Sequence, residues 1–183
     1  LMPDTYNFTR GDTRAGLITR MEKAMLEFTH SEWAKRTPEY PLTAMQEWIT
    51  LASIVEAETP KAEERPRVAG VYLNRLTKSM RLEADPTVAY GVSGGDKMTR
   101  LLTLKDLAAP SAYNTYLNDG LPPSPINNPS RASLTAALNP ETHEFFYFVA
   151  DGTGGHRFGK DFKEHQKNVA EWRRINKAQA KKD

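Results

Sequence analysis

The sequence contains no cysteine, which excludes disulfide bonds and thiolate metal sites and leaves the redox compartment open. No apolar run approaches the roughly 20 residues that a membrane-spanning helix needs, and no signal peptide is visible. An excess of one charge is also missing. The 25 basic and 23 acidic side chains leave a net charge of +2, so the overall balance points to no polyanion partner. There is no phosphate-binding glycine loop before a lysine, no nucleophile elbow and no pair of histidines at metal spacing. The four histidines, His30, His143, His156 and His165, are scattered, so neither a metal nor a cofactor is expected. Internal repeats and low-complexity tracts are absent as well.

The 183 residues are enough for one domain with a sizeable core, and 39% hydrophobic with 26% charged residues is an ordinary globular composition. The opening Leu1-Met2-Pro3 is not a natural start, so the chain reads as part of a longer protein. The basic tail from Lys177 to Asp183 reads as a solvated helix end.

Asp12-Thr13 can cap a helix carrying Leu17, Met21, Ala24, Met25 and Phe28 at helical spacing. Residues 29–41 are polar, hold two prolines and read as a loop or a ragged helix end. A second helix is expected from Thr43 to Glu58, with Trp48, Leu51, Ala52, Ile54 and Val55 on its apolar side and Pro60 as its stop. A third begins near Glu63-Glu64, with Pro66 in its first turn and Val68, Ala69, Val71, Tyr72, Leu73 and Leu76 along it. Arg81 to Asp85 alternates like a short strand, and Gly91, Gly94 and Gly95 mark a flexible loop. Thr103 to Leu107 reads as a short helix. The segment from Ala109 to Pro129 holds five of the twelve prolines and four asparagines, yet includes Tyr113, Tyr116, Leu121 and Ile126. A loop this long with buried-type residues is usually functional. Ser130 to Leu138 reads as a helix. Phe145 to Ala150 reads as a strand, and Asp151 to Gly155 as a turn that returns through His156 to Phe158. A last helix starts near Asp161. The fold class is therefore α+β, with helices packed around a small antiparallel sheet. Residues 1–40 form a helical segment leading into a compact domain over residues 41–183.

Chemistry is best placed on the carboxylates that end the second helix. At about 100° per residue, Glu56 and Glu58 point roughly 200° apart, so both cannot face one cleft. The apolar face is centred about 70° from Glu58 and about 90° from Glu56, a small preference for Glu58. Glu58 also lies in the last turn, where unpaired carbonyls make the helix end partly negative and favour a retained proton. A general acid for glycosidic cleavage needs that property near neutral pH. The alternative is that both glutamates are ordinary surface residues.

At these residues the chain resembles the endolytic murein (peptidoglycan lytic) transglycosylase family. The likeness runs through Ala52-Ser53-Ile54-Val55-Glu56-Ala57-Glu58-Thr59, Glu64-Arg65-Pro66 and Val68 to Leu76. It continues through Asp85-Pro86-Thr87-Val88-Ala89-Tyr90-Gly91, Tyr113-Asn114-Thr115-Tyr116, Gly120-Leu121-Pro122-Pro123, Phe146 to Gly152 and Gly154-Gly155-His156. Ser124 departs from it, standing where the family often has glycine. A more distant likeness to cell-wall hydrolases of the SleB type, aligned on Asn74-Arg75-Leu76, also points to Glu58.

The resemblance implies a catalytic region at the outer face of a bacterial inner membrane, in the periplasm. The upstream membrane span and LysM-like module of the family would lie outside this chain. It implies peptidoglycan glycan strands as substrate, cell-wall synthesis enzymes as possible partners, no nucleic acid, and Glu58 as the catalytic acid. Asn74 is then expected to orient Glu58. Tyr113, Asn114, Thr115, Tyr116 and Ser130 are expected in the sugar groove, with His156 lining it. Core packing is the competing role for the tyrosines, and a turn position for Asn114. A water-using hydrolase would need a second carboxylate, for which Glu83, Asp85 and Asp151 are candidates. Of these Asp85 is read as structural or substrate-binding. A non-catalytic glycan-binding module is the remaining alternative.

Overall fold

A computed structural model of the chain describes residues 1–179. The architecture is α+β: seven helices and a two-stranded antiparallel sheet among these residues. The expected solvated helix end beyond residue 179 lies outside the described residues. No described helix is long and apolar enough to cross a membrane.

Helix α1 (Arg14–Trp33) opens at Thr13, whose hydroxyl accepts the Gly16 N–H at 3.0 Å. It runs further than its polar composition suggests. Thr29 is buried and returns its hydroxyl to the Met25 carbonyl, so the polar residue is satisfied within the helix. Helix α2 (Met45–Glu58) opens where Glu47 accepts the N–H groups of Thr43 and Ala44, both at 3.0 Å. It ends at Thr59, extended at φ −139°, as Pro60 requires of its predecessor. A 3₁₀ turn (Ala62–Glu64) leads into α3 (Arg65–Thr77), with Pro66 in the first turn, where its missing N–H costs nothing.

The expected strand from Arg81 to Asp85 does not form. Its carbonyls find another donor: Arg75 Nη1 donates to Arg81 O and Leu82 O at 3.0 and 3.1 Å. Asp85 instead opens helix α4 (Asp85–Ser93). The expected glycine loop is also partly helical. Gly91 lies inside α4, where an added Cβ would come within 2.6 Å of the Ser111 hydroxyl. Gly94, left-handed at φ 69°, is the helix terminator.

Two short helices follow, α5 (Leu104–Leu107) and α6 (Arg131–Leu138), the latter capped by Ser130. Strands β1 (Tyr147–Ala150) and β2 (His156–Gly159) form a hairpin with Phe148 opposite Phe158, and α7 (Phe162–Gln179) packs against both.

The core is the junction of α2, α3 and α6. Trp48, Leu51, Ile54 and Val55 meet Val68, Tyr72 and Leu134, all essentially inaccessible. Trp48 satisfies its indole N–H on the Leu134 carbonyl at 2.9 Å. This packing presents the C-terminal end of α2 to one face of α3, with the hairpin folded over it.

Candidate active site

That junction leaves a cavity of about 410 Å³, within the range of small-molecule sites. Glu58 lines it from the end of α2 and Tyr72 from α3. Glu83 and Asp85 line it from the connection into α4, and Tyr116 from the long loop. Phe148 and His156 line it from the hairpin.

The Tyr72 hydroxyl donates to Glu58 Oε1 at 2.5 Å, and the Tyr72 ring meets Phe148 edge-on at 5.8 Å. Burial pushes the Glu58 carboxyl up from 4.5 to about 7. The Tyr72 hydrogen bond opposes that rise, because it stabilises the ionised form, and the neighbouring Asp85 carboxylate adds to it. Desolvation outweighs the hydrogen bond, and near neutral pH this acid is poised between its two forms. The helix-end argument from the sequence named the right direction; the largest cause is burial.

Glu56 faces elsewhere. Its Oε2 accepts the N–H and hydroxyl of Ser130 at 3.0 and 2.5 Å, and Arg65 stands 3.7 Å from Oε1. Burial alone would raise its pKa, but the hydrogen bonds from Ser130, the nearby Ser133 hydroxyl and the Arg65 charge hold it below the usual value. The two glutamates of one helix end thus have opposite environments.

Asp85 accepts the Tyr116 hydroxyl at 2.7 Å, an arrangement that raises the Tyr116 pKa after burial has already done so. Glu83 adopts a left-handed φ of 49°, which costs a non-glycine residue about 1–2 kcal/mol. It is held there by its N–H on Thr115 O (3.2 Å) and its carboxylate on Arg75 (3.1 Å). This kink turns the chain so that Glu83 and Asp85 both reach the cavity.

The remaining sequence candidates divide. Tyr116 and His156 line the cavity with Glu58 and Asp85. His156 Nδ1 is 2.8 Å from Glu64, whose carboxylate also receives the His156 N–H at 3.0 Å, clamping the hairpin to the turn after α2. Asn114 and Thr115 are buried and structural. The Asn114 amide donates to Leu107 O and Ala109 O, and its oxygen accepts the Tyr116 N–H. Thr115 Oγ1 accepts the Ala84 N–H and shares a hydrogen bond with Thr87. Together they fix the loop so that Tyr116 enters the cavity. Tyr113 lies off it, its hydroxyl 2.6 Å from Ser124 and its ring against Tyr90. Ser130 serves Glu56 and the start of α6. Asn74 does not contact Glu58; its amide donates to His143 O and Phe145 O at 2.9 and 3.0 Å. Asp151 closes the hairpin turn onto Thr153 and Gly155.

Sequence reasoning missed Tyr72, Arg75, Tyr147, Phe162, His165 and Trp172, all of which line the cavity. For Tyr72 a signal existed: a tyrosine on the apolar face of a helix needs a partner for its hydroxyl, and the facing helix ends in a glutamate. Among the described residues no group of three or more His, Asp or Glu side chains could hold a metal ion.

The chain matches the YceG-like family over residues 1–171. It is 39% identical over 169 residues to an endolytic murein transglycosylase of Bacillus subtilis (strain 168), a match covering 91% of this chain and 45% of that protein. It is 34% identical over 176 residues to an endolytic murein transglycosylase of Streptococcus pneumoniae serotype 2, covering 93% of this chain and 31% of that one. The chain thus spans less than half the length of these curated relatives. The crystal structure of a yceG-like protein from Listeria monocytogenes superposes with a TM-score of 0.78 at 39% identity, covering 91% of this chain and 53% of the other.

Proposed function

Because the chain belongs to the YceG-like family, we propose that it is the catalytic region of an endolytic peptidoglycan lytic transglycosylase. The observation that carries this reading is the partly buried, proton-retaining Glu58 at the wall of a cavity of saccharide size. Glu58, protonated, donates to the glycosidic oxygen between N-acetylmuramic acid and N-acetylglucosamine. The C1–O bond breaks with its electron pair going to the leaving oxygen. The C6 hydroxyl of the same muramyl residue attacks the oxocarbenium-like C1, and the Glu58 carboxylate takes its proton. The product is a 1,6-anhydromuramyl end, and no water is consumed. A tethered nucleophile has a high effective concentration, so one carboxylate suffices for proton transfer. The Asp85 carboxylate lines the cavity, where its charge favours both the protonated Glu58 and positive charge developing at C1. In the same reading, the full-length protein is anchored in the bacterial inner membrane with this region in the periplasm.

Asp85 also motivates a second reading. Two carboxylates in one cavity are what a water-using glycosidase requires. Mass spectrometry of digested glycan strands separates the two: anhydro ends are expected, and reducing ends without anhydro sugar would establish the hydrolase instead.

The acid's environment makes a directional prediction. Activity requires protonated Glu58 and falls as pH rises through its pKa. Asp85→Asn removes a charge that raises that pKa, so the alkaline limb of kcat/KM should move to lower pH. Tyr72→Phe removes a hydrogen bond that lowers it, so the same limb should move to higher pH. Shifts in one common direction, or none, would show that Glu58 does not govern the profile.

A further inference from the structure

We propose that the aromatic surface formed by Tyr147, His165 and Phe162 is a second sugar subsite, holding a neutral N-acetylhexosamine ring next to the pair whose bond is cut. This proposal rests on the glycan-cleaving reading above.

The surface belongs to the same cavity as Glu58 but to its other wall. Tyr72 and Arg75 lie three residues apart on α3, so the wall advances by about 4.5 Å from one to the other. Tyr72 meets the hairpin at Phe148 beside Glu58, whereas the Arg75 guanidinium lies 5.0 Å from the centre of the Tyr147 ring. Tyr147 and Phe148 point to opposite faces of β1, which separates the two contacts. From Tyr147 the aromatic surface continues onto α7. His165 stacks on Tyr147 at 5.1 Å and 25°, and Phe162 stands 6.1 Å from Tyr147 and 6.3 Å from His165.

His165 covers one face of Tyr147 and Arg75 lies over the same ring, so the ring left open to the flat C–H face of a pyranose is Phe162, with the other two behind it. Phe162 is 58% exposed, so core packing does not account for a phenylalanine at the start of α7. The polar rim fits the same ligand. Glu83, whose side chain is 48% exposed at the cavity edge, is an acceptor for sugar hydroxyls or an acetamido N–H. Arg75, the cation of this wall, already donates to three backbone carbonyls and Glu83. With Glu58, Glu83 and Asp85 around it and that cation engaged, the wall disfavours an anionic ring and favours a neutral amino sugar.

Chitotetraose, an uncharged chain of N-acetylglucosamine, is the probe. Its binding is measured by calorimetry in the Glu58→Gln background and followed by tryptophan emission, to which Trp172 at the cavity contributes. Phe162→Ala should weaken binding roughly fivefold or more, and Phe162→Tyr, which keeps the ring, should restore it. In the active protein the Phe162→Ala loss should fall on KM for glycan strands and not on kcat. Parent-level affinity in Phe162→Ala, an equal loss in Phe162→Tyr, or no chitotetraose binding at all would overturn the subsite. Failure of the parent protein to cleave glycan strands would instead overturn the functional reading, which the binding measurement does not share.

Discussion

Glu58→Gln is expected to lower the rate of glycan-strand cleavage by on the order of a thousandfold or more, because it removes both proton transfers at once. Glutamine keeps the shape of the side chain and can still accept the Tyr72 hydroxyl, so the cavity should persist. The fold offers an internal check. The Glu58 pKa is about 7 in the folded protein against 4.5 unfolded, so the folded state binds more protons between these values. The stability this contributes is fully present below about 4.5 and is lost as pH rises through about 7. The glutamine variant carries no such penalty and should melt at a higher temperature than the parent at pH 8. Glu56→Gln provides the contrast. It weakens the acceptor that Ser130 and Arg65 share, so some stability should be lost while cleavage continues. Assays of purified glycan strands, with thermal melts at pH 5 and pH 8, check all of this. Continued cleavage by Glu58→Gln, or its loss in Glu56→Gln instead, would remove Glu58 from the mechanism.

Arg75→Met should produce the largest loss of stability. Arg75 is 7% exposed and ties three segments together. Its Nε donates to Phe146 O at 2.7 Å ahead of β1, and its Nη1 donates to Arg81 O, Leu82 O and the Glu83 carboxylate. Methionine fills much of the volume and satisfies none of these acceptors. Carbonyls left without donors cost about 1–3 kcal/mol each when buried. Glu83 is about half-exposed, so solvent screens its ion pair and most of the loss comes from the carbonyls. A total of roughly 3–5 kcal/mol follows, or about 10 °C or more in Tm for a domain of this size. Arg75→Lys should fall well short of full recovery, because a point donor cannot reach both sides of the fork. Activity should fall with stability, since the Glu83 kink and the hairpin wall both lean on this side chain. A change in Tm under about 2 °C would mean that these carbonyls have other donors.

Several features were legible in the one-dimensional pattern because their causes are local. Pro60 ends α2, Pro66 starts α3, and Thr13 and Ser130 cap their helices; each acts within a few residues of itself. The hairpin was legible too, in an apolar run followed by a glycine turn. Where local reasoning failed, a distant group intervened. The alternation from Arg81 to Asp85 predicts a strand, but Arg75 supplied the hydrogen bonds that a neighbouring strand would have made. Gly91 predicts flexibility, but it is a contact residue under Ser111. Asn74, expected beside Glu58, turned to the carbonyls of His143 and Phe145, some seventy residues away in sequence.

The sequence by itself determined every helix but α4, the hairpin, the family and the pair of glutamates from which a catalytic acid could be drawn. It could not separate those two glutamates by more than a small difference in angle. The tertiary structure decided their environments. Folding placed Glu56 against Ser130 and Arg65, which hold its charge, and Glu58 in a cavity with Tyr72 and Asp85, where burial opposes that charge. The physical reason is that desolvation and charge–charge coupling depend on separation in space. Helix caps and proline stops depend on separation along the chain, and only the latter can be read before the chain is folded.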